Sequence, residues 1–206
     1  MVLKEWTKKH IEAKAWAIFV FTSILAFWAW AKLGTNVSNI YHLFPLFGLI
    51  GFSTMWGHYM VWALREWSGA DSAKTAMYSK VTHWVVLLCI VVHPSLIIYK
   101  LSADGFGLPP ASYKAYVGAK LAGFVLLGTL CLFAFLAFEL EKWLHTNTQV
   151  WKTILVFNHL AMLGIVVHAL KLGQSVKQAP LKYIWPIYGI TLVGIYIYLA
   201  SKKKLI

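Results

Sequence analysis

The chain has 206 residues, of which 60% are hydrophobic and 13% charged, against about 25% charged in a soluble globular domain. A mean hydropathy of +0.66, and apolar runs too long for a core in which apolar stripes alternate with polar faces, exclude an ordinary soluble fold. Nineteen Lys and Arg against seven Asp and Glu give a net charge of +12; the lysines fall between apolar runs, so they mark membrane flanks rather than a nucleic-acid surface.

Lys4, Lys8, Lys9 and Lys14 precede the apolar stretch Ala15 to Ala31. This imitates a signal peptide, but the stretch is too long for a signal core and no cleavage site follows, so it reads as the first span. The predicted spans are 15–33, 40–64, 79–101, 115–138, 150–171 and 183–200. Each meets the ~20 residues that a ~30 Å hydrocarbon core asks of a helix. Breakers and polar residues connect them: Gly34-Thr-Asn36, Ser68-Gly-Ala-Asp71, Asp104-Gly followed by Pro109-Pro110, His145-Thr-Asn147, and Gly173-Gln followed by Pro180. No segment is long or polar enough for a separate soluble domain, and no internal repeat stands out. The expectation is an all-α membrane protein, one transmembrane domain over 1–206. Cys89 and Cys131 lie inside apolar runs, fit neither a disulfide framework nor a zinc spacing, and read as packing residues.

Loop charges set the orientation. With the N-terminus inside, the inner segments hold twelve Lys and Arg, Arg65 and Lys202 to Lys204 among them, and the outer segments seven. Both termini of the six-helix bundle are therefore expected in the cytoplasm. Trp28, Trp30, Tyr99, Trp143, Trp151 and Trp185 sit near span ends, where aromatic belts form, but eleven Trp exceed what belts need.

The informative residues are polar ones within spans. None of the carboxylates falls in the middle of a span, which argues against a proton pump or ion-coupled transporter. Histidine does: His58, His83, His93, His159 and His168 all lie within spans. An imidazole in hydrocarbon needs a partner for its N–H and a use for its lone pair, and haem iron supplies the second, bis-His ligation giving a low-spin electron carrier. Spans three and five run in the same direction. His83 and His93 are ten residues apart on one, His159 and His168 nine apart on the other. Two parallel helices so spaced can hold two His pairs at depths ~14–15 Å apart. The competing reading is that each His only hydrogen-bonds a neighbouring helix. His58, alone on the antiparallel second span, reads as a packing or haem-edge residue, and His10, His42 and His145 lie at span ends or in loops. Straight helices leave His93 about 80° from the face of His83, and His168 opposite His159. Pro94 can kink the His93 turn, and Gly164 clears room beside His168. These features favour His93 with His168 over His83 with His159.

Ser79-Lys-Val-Thr-His83, Val92-His93 and Tyr99 resemble the third helix of the ferric reductase-like transmembrane family, which includes the haem subunit of the bacterial methionine-sulfoxide reductase system and the membrane parts of NADPH oxidases. Trp151-Lys-Thr-Ile, His159 and Val167-His168-Ala-Leu resemble its fifth helix. Tyr116 to Lys142, with Gly123, resembles the fourth, so the resemblance covers about 75–175. It implies haem b, one or two, held between helices three and five, and electrons passed across the membrane. His93 and His168 match the family's outer ligand positions. Its inner ligands fall near Ser79 and Leu155, neither of which is His; His83 and His159 each lie four residues later, a concerted one-turn shift. The family's oxidases carry a nucleotide-binding domain after the last span, and this chain ends at Ile206, so a flavin donor is expected to be another protein. Arg65 is a candidate partner for a haem propionate, or an ordinary snorkelling anchor. The expectation is a b-type cytochrome of a prokaryotic cytoplasmic membrane, with the lipid bilayer and a separate flavin or quinol donor as partners and no nucleic acid. The alternatives are a quinol-reactive cytochrome subunit of a larger complex and a non-redox scaffold or channel with structural histidines.

Overall fold

A computed structural model describes residues 2–144 and 148–203, with the side chains of all of these except 141–144. The predicted turn His145-Thr-Asn147, the side chains of Lys142 and Trp143, and Lys204 lie outside the described residues. Those described form helices and connecting turns, with no strand among them. Helix α1 (Val2–Lys9) is followed by α2 (Ile11–Ala31), α3 (Ile40–Ser68), α4 (Ala76–Ala103), α5 (Ala111–Val117), α6 (Ala119–Leu144), α7 (Thr148–Leu172) and α8 (Leu181–Ser201).

Local chemistry sets the ends. The Asn39 side chain accepts from the Tyr41 N–H to open α3, and Gly69, at φ 69°, closes it. The Asp71 carboxylate accepts from the Ala73 N–H to start the turn that leads into α4. Two helices differ from expectation. The predicted fourth span at 115–138 is broken at Gly118, whose φ of 79° suits only glycine, so short α5 is separate and α6 runs on past 138. Before the first span, the lysine-rich segment is itself helical, as α1. Pro94 does not interrupt α4.

Among the described residues five helices are long and apolar enough to cross a membrane: α2, α4 with its leading turn, α6, α7 and α8. Helix α3 is the longest at 29 residues but is more polar, carrying His42, Ser53, Thr54, His58, Arg65 and Glu66. Its position explains this, because α2, α4 and α8 surround it and cover Phe52, Ser53, Thr54 and Gly57. Phe52 packs on Trp185 and Trp56 on Tyr188, both with ring centroids 4.5 Å apart, and the Trp56 indole N–H donates to Thr191 Oγ1 at 2.9 Å. Several of the eleven Trp thus build the bundle interior.

Two antiparallel hairpins frame the centre. Helices α3 and α4 pack closely, as do α6 and α7. Helix α8 backs the seam between α3 and α7. Among the described residues α4 and α6 are not a closely packed pair, and the outer faces of these two helices present Trp84, Leu88, Leu130 and Phe133 to the surroundings.

Candidate functional site in the helix core

The histidines within the long helices occupy two layers. In the first, the His93 Nδ1 of α4 lies 2.8 Å from the Phe44 carbonyl oxygen of α3. The His168 Nδ1 of α7 lies 2.7 Å from the Phe124 carbonyl oxygen of α6. A carbonyl only accepts, so each Nδ1 carries the proton and each Nε2 carries the lone pair. Each ring also rests on a glycine four residues past its carbonyl. A Cβ on Gly48 would stand 2.9 Å from the His93 ring, and one on Gly128 only 2.5 Å from the His168 ring. The two imidazoles come one from each hairpin.

The match extends along both hairpins. Phe44-Pro-Leu-Phe-Gly48 corresponds to Phe124-Val-Leu-Leu-Gly128, and Cys89-Ile-Val-Val-His93 to Gly164-Ile-Val-Val-His168. Gly51 receives Cys89, with Cβ space of 3.0 Å, and Gly164 receives Cys131 Sγ at 2.7 Å. The cysteine and the glycine have changed sides of one contact. Helices α3–α4 and α6–α7 are therefore a repeated hairpin, which the sequence reading missed. Gly164 also has a different task from the expected one: Cys131 fills its space, and Gly128 is the residue that makes room for His168.

The second layer lies along the same helices. His58 is ten positions past Gly48, His83 ten before His93 and His159 nine before His168, which at ~1.5 Å per residue places it ~14–15 Å away. Here side chains bond to side chains. His83 Nε2 of α4 meets Glu139 Oε2 of α6 at 3.1 Å. His159 Nδ1 of α7 lies 2.8 Å from the Tyr59 hydroxyl of α3, which also accepts from Asn158 Nδ2 at 3.2 Å. Thr82 donates its hydroxyl to the Tyr78 carbonyl, so His58 Nε2, 2.6 Å from Thr82 Oγ1, is the donor to it. Tyr59 and Glu139 each stand eleven positions past their cradle glycine, Gly48 and Gly128. The repeat thus places each on the first helix of one hairpin, bonded to a histidine of the other. Sequence reading left Glu139 just beyond its fourth span; the extension of α6 brings it to His83.

His58, Tyr59, His83, Glu139, Asn158 and His159 line one cavity of about 200 Å³, whose remaining walls include Val86, Ile90, Phe135 and Met162. His83 and His159, the second predicted pair, thus share a cavity, but each is bonded to another side chain. Among the described residues no three His, Cys, Asp or Glu side chains converge as a metal-ion cage.

At the opposite end of the hairpins from this cavity, Asp104 closes α4. Its carboxyl is held below the usual range, first by the hydrogen bond from Lys100 and then by the Tyr41 hydroxyl at 2.6 Å. Arg65 lies seventeen positions past Gly48 along α3, ~25 Å from the His93–His168 layer.

No family model, curated protein or solved structure matches this chain.

Proposed function

We propose that the chain is a b-type cytochrome, a six-span membrane bundle with both termini cytoplasmic that holds haem b between His93 and His168. One observation carries this reading: two histidines, one from each copy of a repeated hairpin, are fixed alike by a backbone carbonyl and a glycine seat. Carbonyl anchoring of Nδ1 sets the tautomer in which Nε2 is the metal-binding atom. The glycines admit flat rings where any Cβ would collide. These residues fit axial ligation of a porphyrin iron, which supplies one-electron chemistry when bound. The chain's own part is to hold two imidazoles, set their hydrogen-bonded basicity, and surround them with apolar side chains that exclude water.

The resemblance to the ferric reductase-like transmembrane family supports the same ligand pair and an electron donor that is a flavin or a quinol. For the count of six spans, the length of α3 and its alternation with its neighbours are the support. Reporter fusions within Ser68 to Lys74 and at the C-terminus are expected to read cytoplasmic.

A second reading, a further haem between His83 and His159, is favoured by their shared cavity. Their engagement with Glu139 and Tyr59 weighs against it. A pyridine haemochrome assay on purified protein decides. One haem b per chain is expected, lost in His93→Ala and in His168→Ala and kept in His83→Ala and His159→Ala. Full haem with an unchanged spectrum in both His93→Ala and His168→Ala would sink the cytochrome reading.

A further inference from the structure

We propose that the cavity between the hairpins binds the head group of a lipid-soluble quinone, with His83–Glu139 and Tyr59–His159 taking its two oxygens. The proposal rests on the six-span membrane reading and deepens its quinol donor, but not on the haem, which concerns different residues in a different layer.

Size comes first. A cavity of about 200 Å³ is slightly larger than the engineered apolar cavity of about 150 Å³ that holds one benzene. It suits a single substituted ring. Its walls are apolar on the broad sides, with Val86 and Ile90 from α4, Phe135 from α6 and Met162 from α7.

The polar groups come in two pairs on two different seams. His83–Glu139 joins α4 to α6, and Tyr59–His159 joins α3 to α7. Because α3 packs on α4 and α6 on α7, these seams lie on opposite sides of the cavity. A quinone carries its two oxygens at opposite edges of one ring, which is the arrangement two such pairs can meet. Both pairs contain groups that donate and accept, so either the quinone or the quinol can be bonded.

Access distinguishes the seams. Helix α8 covers the α3–α7 side, where the Tyr196 hydroxyl donates to the His159 carbonyl at 3.2 Å and His159 is only 6% exposed. At the α4–α6 side the bridging side chains are His83, 30% exposed, and Glu139, 15% exposed. Neighbouring Trp84 and Leu88 on α4 face outward into what is membrane in the six-span reading. A ligand dissolved in the bilayer therefore meets a lateral entrance crossed by the His83–Glu139 contact, and a polar pair fixed at the back.

The test uses the purified protein with its haem complement in lipid nanodiscs, titrated with radiolabelled decylubiquinone, and protein-free nanodiscs subtracted. Saturable binding of one quinone per chain is expected. Val86→Trp, which fills the cavity, should abolish it, and Ile90→Phe serves as a milder filler should the first variant not fold. Tyr59→Phe and Glu139→Gln should each weaken binding by about tenfold, the loss of a strong hydrogen bond. Leu130→Trp, on the outward face of α6, should leave it unchanged. Absence of saturable binding overturns the proposal, as does binding that ignores the fillers and both polar variants. A second haem per chain that disappears in His159→Ala also overturns it, because a porphyrin then occupies the cavity. Haem content of each sample is read separately: quinone binding without haem leaves this site standing and removes the cytochrome reading, and haem without quinone binding does the reverse.

Discussion

The two layers are built from the same repeated hairpin and hold their histidines by opposite means. In the His93–His168 layer each bond stays inside one hairpin and ends on a backbone carbonyl. In the other layer the bonds of His83 and His159 cross between hairpins and end on side chains, while His58 bonds Thr82 within its own hairpin. A carbonyl in a helix neither titrates nor rotates, so it fixes a ring in one orientation and one tautomer. A carboxylate or a phenol turns on its own torsions and exchanges protons, so its partner can be given up to a ligand. One repeat therefore supplies a rigid ligand platform and, about ten residues along the same helices, a yielding polar site. Carbonyl anchoring also makes each hairpin self-sufficient at the first layer, whereas the second exists only once the hairpins have met.

The sharpest way to break the contrast is to crowd the glycine seats. Gly128→Ala places a Cβ 2.5 Å from the His168 ring, and Gly48→Ala places one 2.9 Å from the His93 ring. Overpacking of this kind costs about 1–3 kcal/mol, and the closer contact must displace its ring further. Haem per chain should fall in both variants and more in Gly128→Ala, with the remainder shifted toward a high-spin optical spectrum. Equal haem in the two variants and wild type would show that the seats are not part of the ligand site.

Much of this contrast was readable in the sequence, and the reason it was only partly read is physical. The long helices follow from composition, because hydrocarbon requires apolar runs of that length; five of those described are apolar enough to span, and α3 is more polar. The preference for His93 with His168 rested on Pro94 and Gly164, since helical phase offsets both pairs alike; Pro94 leaves α4 uninterrupted and Cys131 fills the space at Gly164. Ile-Val-Val-His stands twice in the sequence and was the available signal for the repeat. It is hard to weigh because Ile and Val are what any membrane helix uses. The carbonyls of Phe44 and Phe124 leave no trace in residue identity, as backbone is present everywhere. Gly48 and Gly128 look like ordinary membrane glycines until a neighbouring helix is placed on them. Glu139 escaped because the apolar run ends before the helix does, so a charge beyond the run was still within reach of His83. The cross-hairpin partners of His83 and His159 depend on which helices meet, and the chain does not state that locally.

Smaller effects should follow in the yielding layer. Tyr59→Phe removes the partner of His159 Nδ1 and the acceptor of Asn158 Nδ2, and interhelical hydrogen bonds in membranes contribute about 0.6–1.7 kcal/mol. Glu139→Gln should cost less, because its partner His83 is more exposed than His159. Thermal melts can be followed with a thiol-reactive dye, since Cys89 and Cys131 are buried until the bundle opens. A lower midpoint for Tyr59→Phe than for Glu139→Gln, with haem content unchanged in both, is the expected order. Loss of haem in either would join the two layers into one site and remove the distinction drawn above.

The smallest effect concerns the cations at the two ends. Arg65, the only arginine in the chain, lies ~25 Å along α3 from the His93–His168 layer, too far to bond a group held there. Lys171 is three positions past His168, and its ammonium sits 5.6 Å from the centre of the Phe124 ring, beside the carbonyl that anchors His168. A positive charge near an iron favours the form with one more electron, so Lys171→Gln should lower the midpoint potential, on the order of tens of millivolts. Raising the salt concentration should shrink that shift, because an ammonium near the helix end is partly screened. Arg65→Gln should leave both potential and spectrum at their wild-type values. The two variants carry the same charge change, so potentiometric titration of both isolates position. A shift in Arg65→Gln matching that in Lys171→Gln would put the iron nearer the second layer and reverse the assignment of which layer holds and which exchanges.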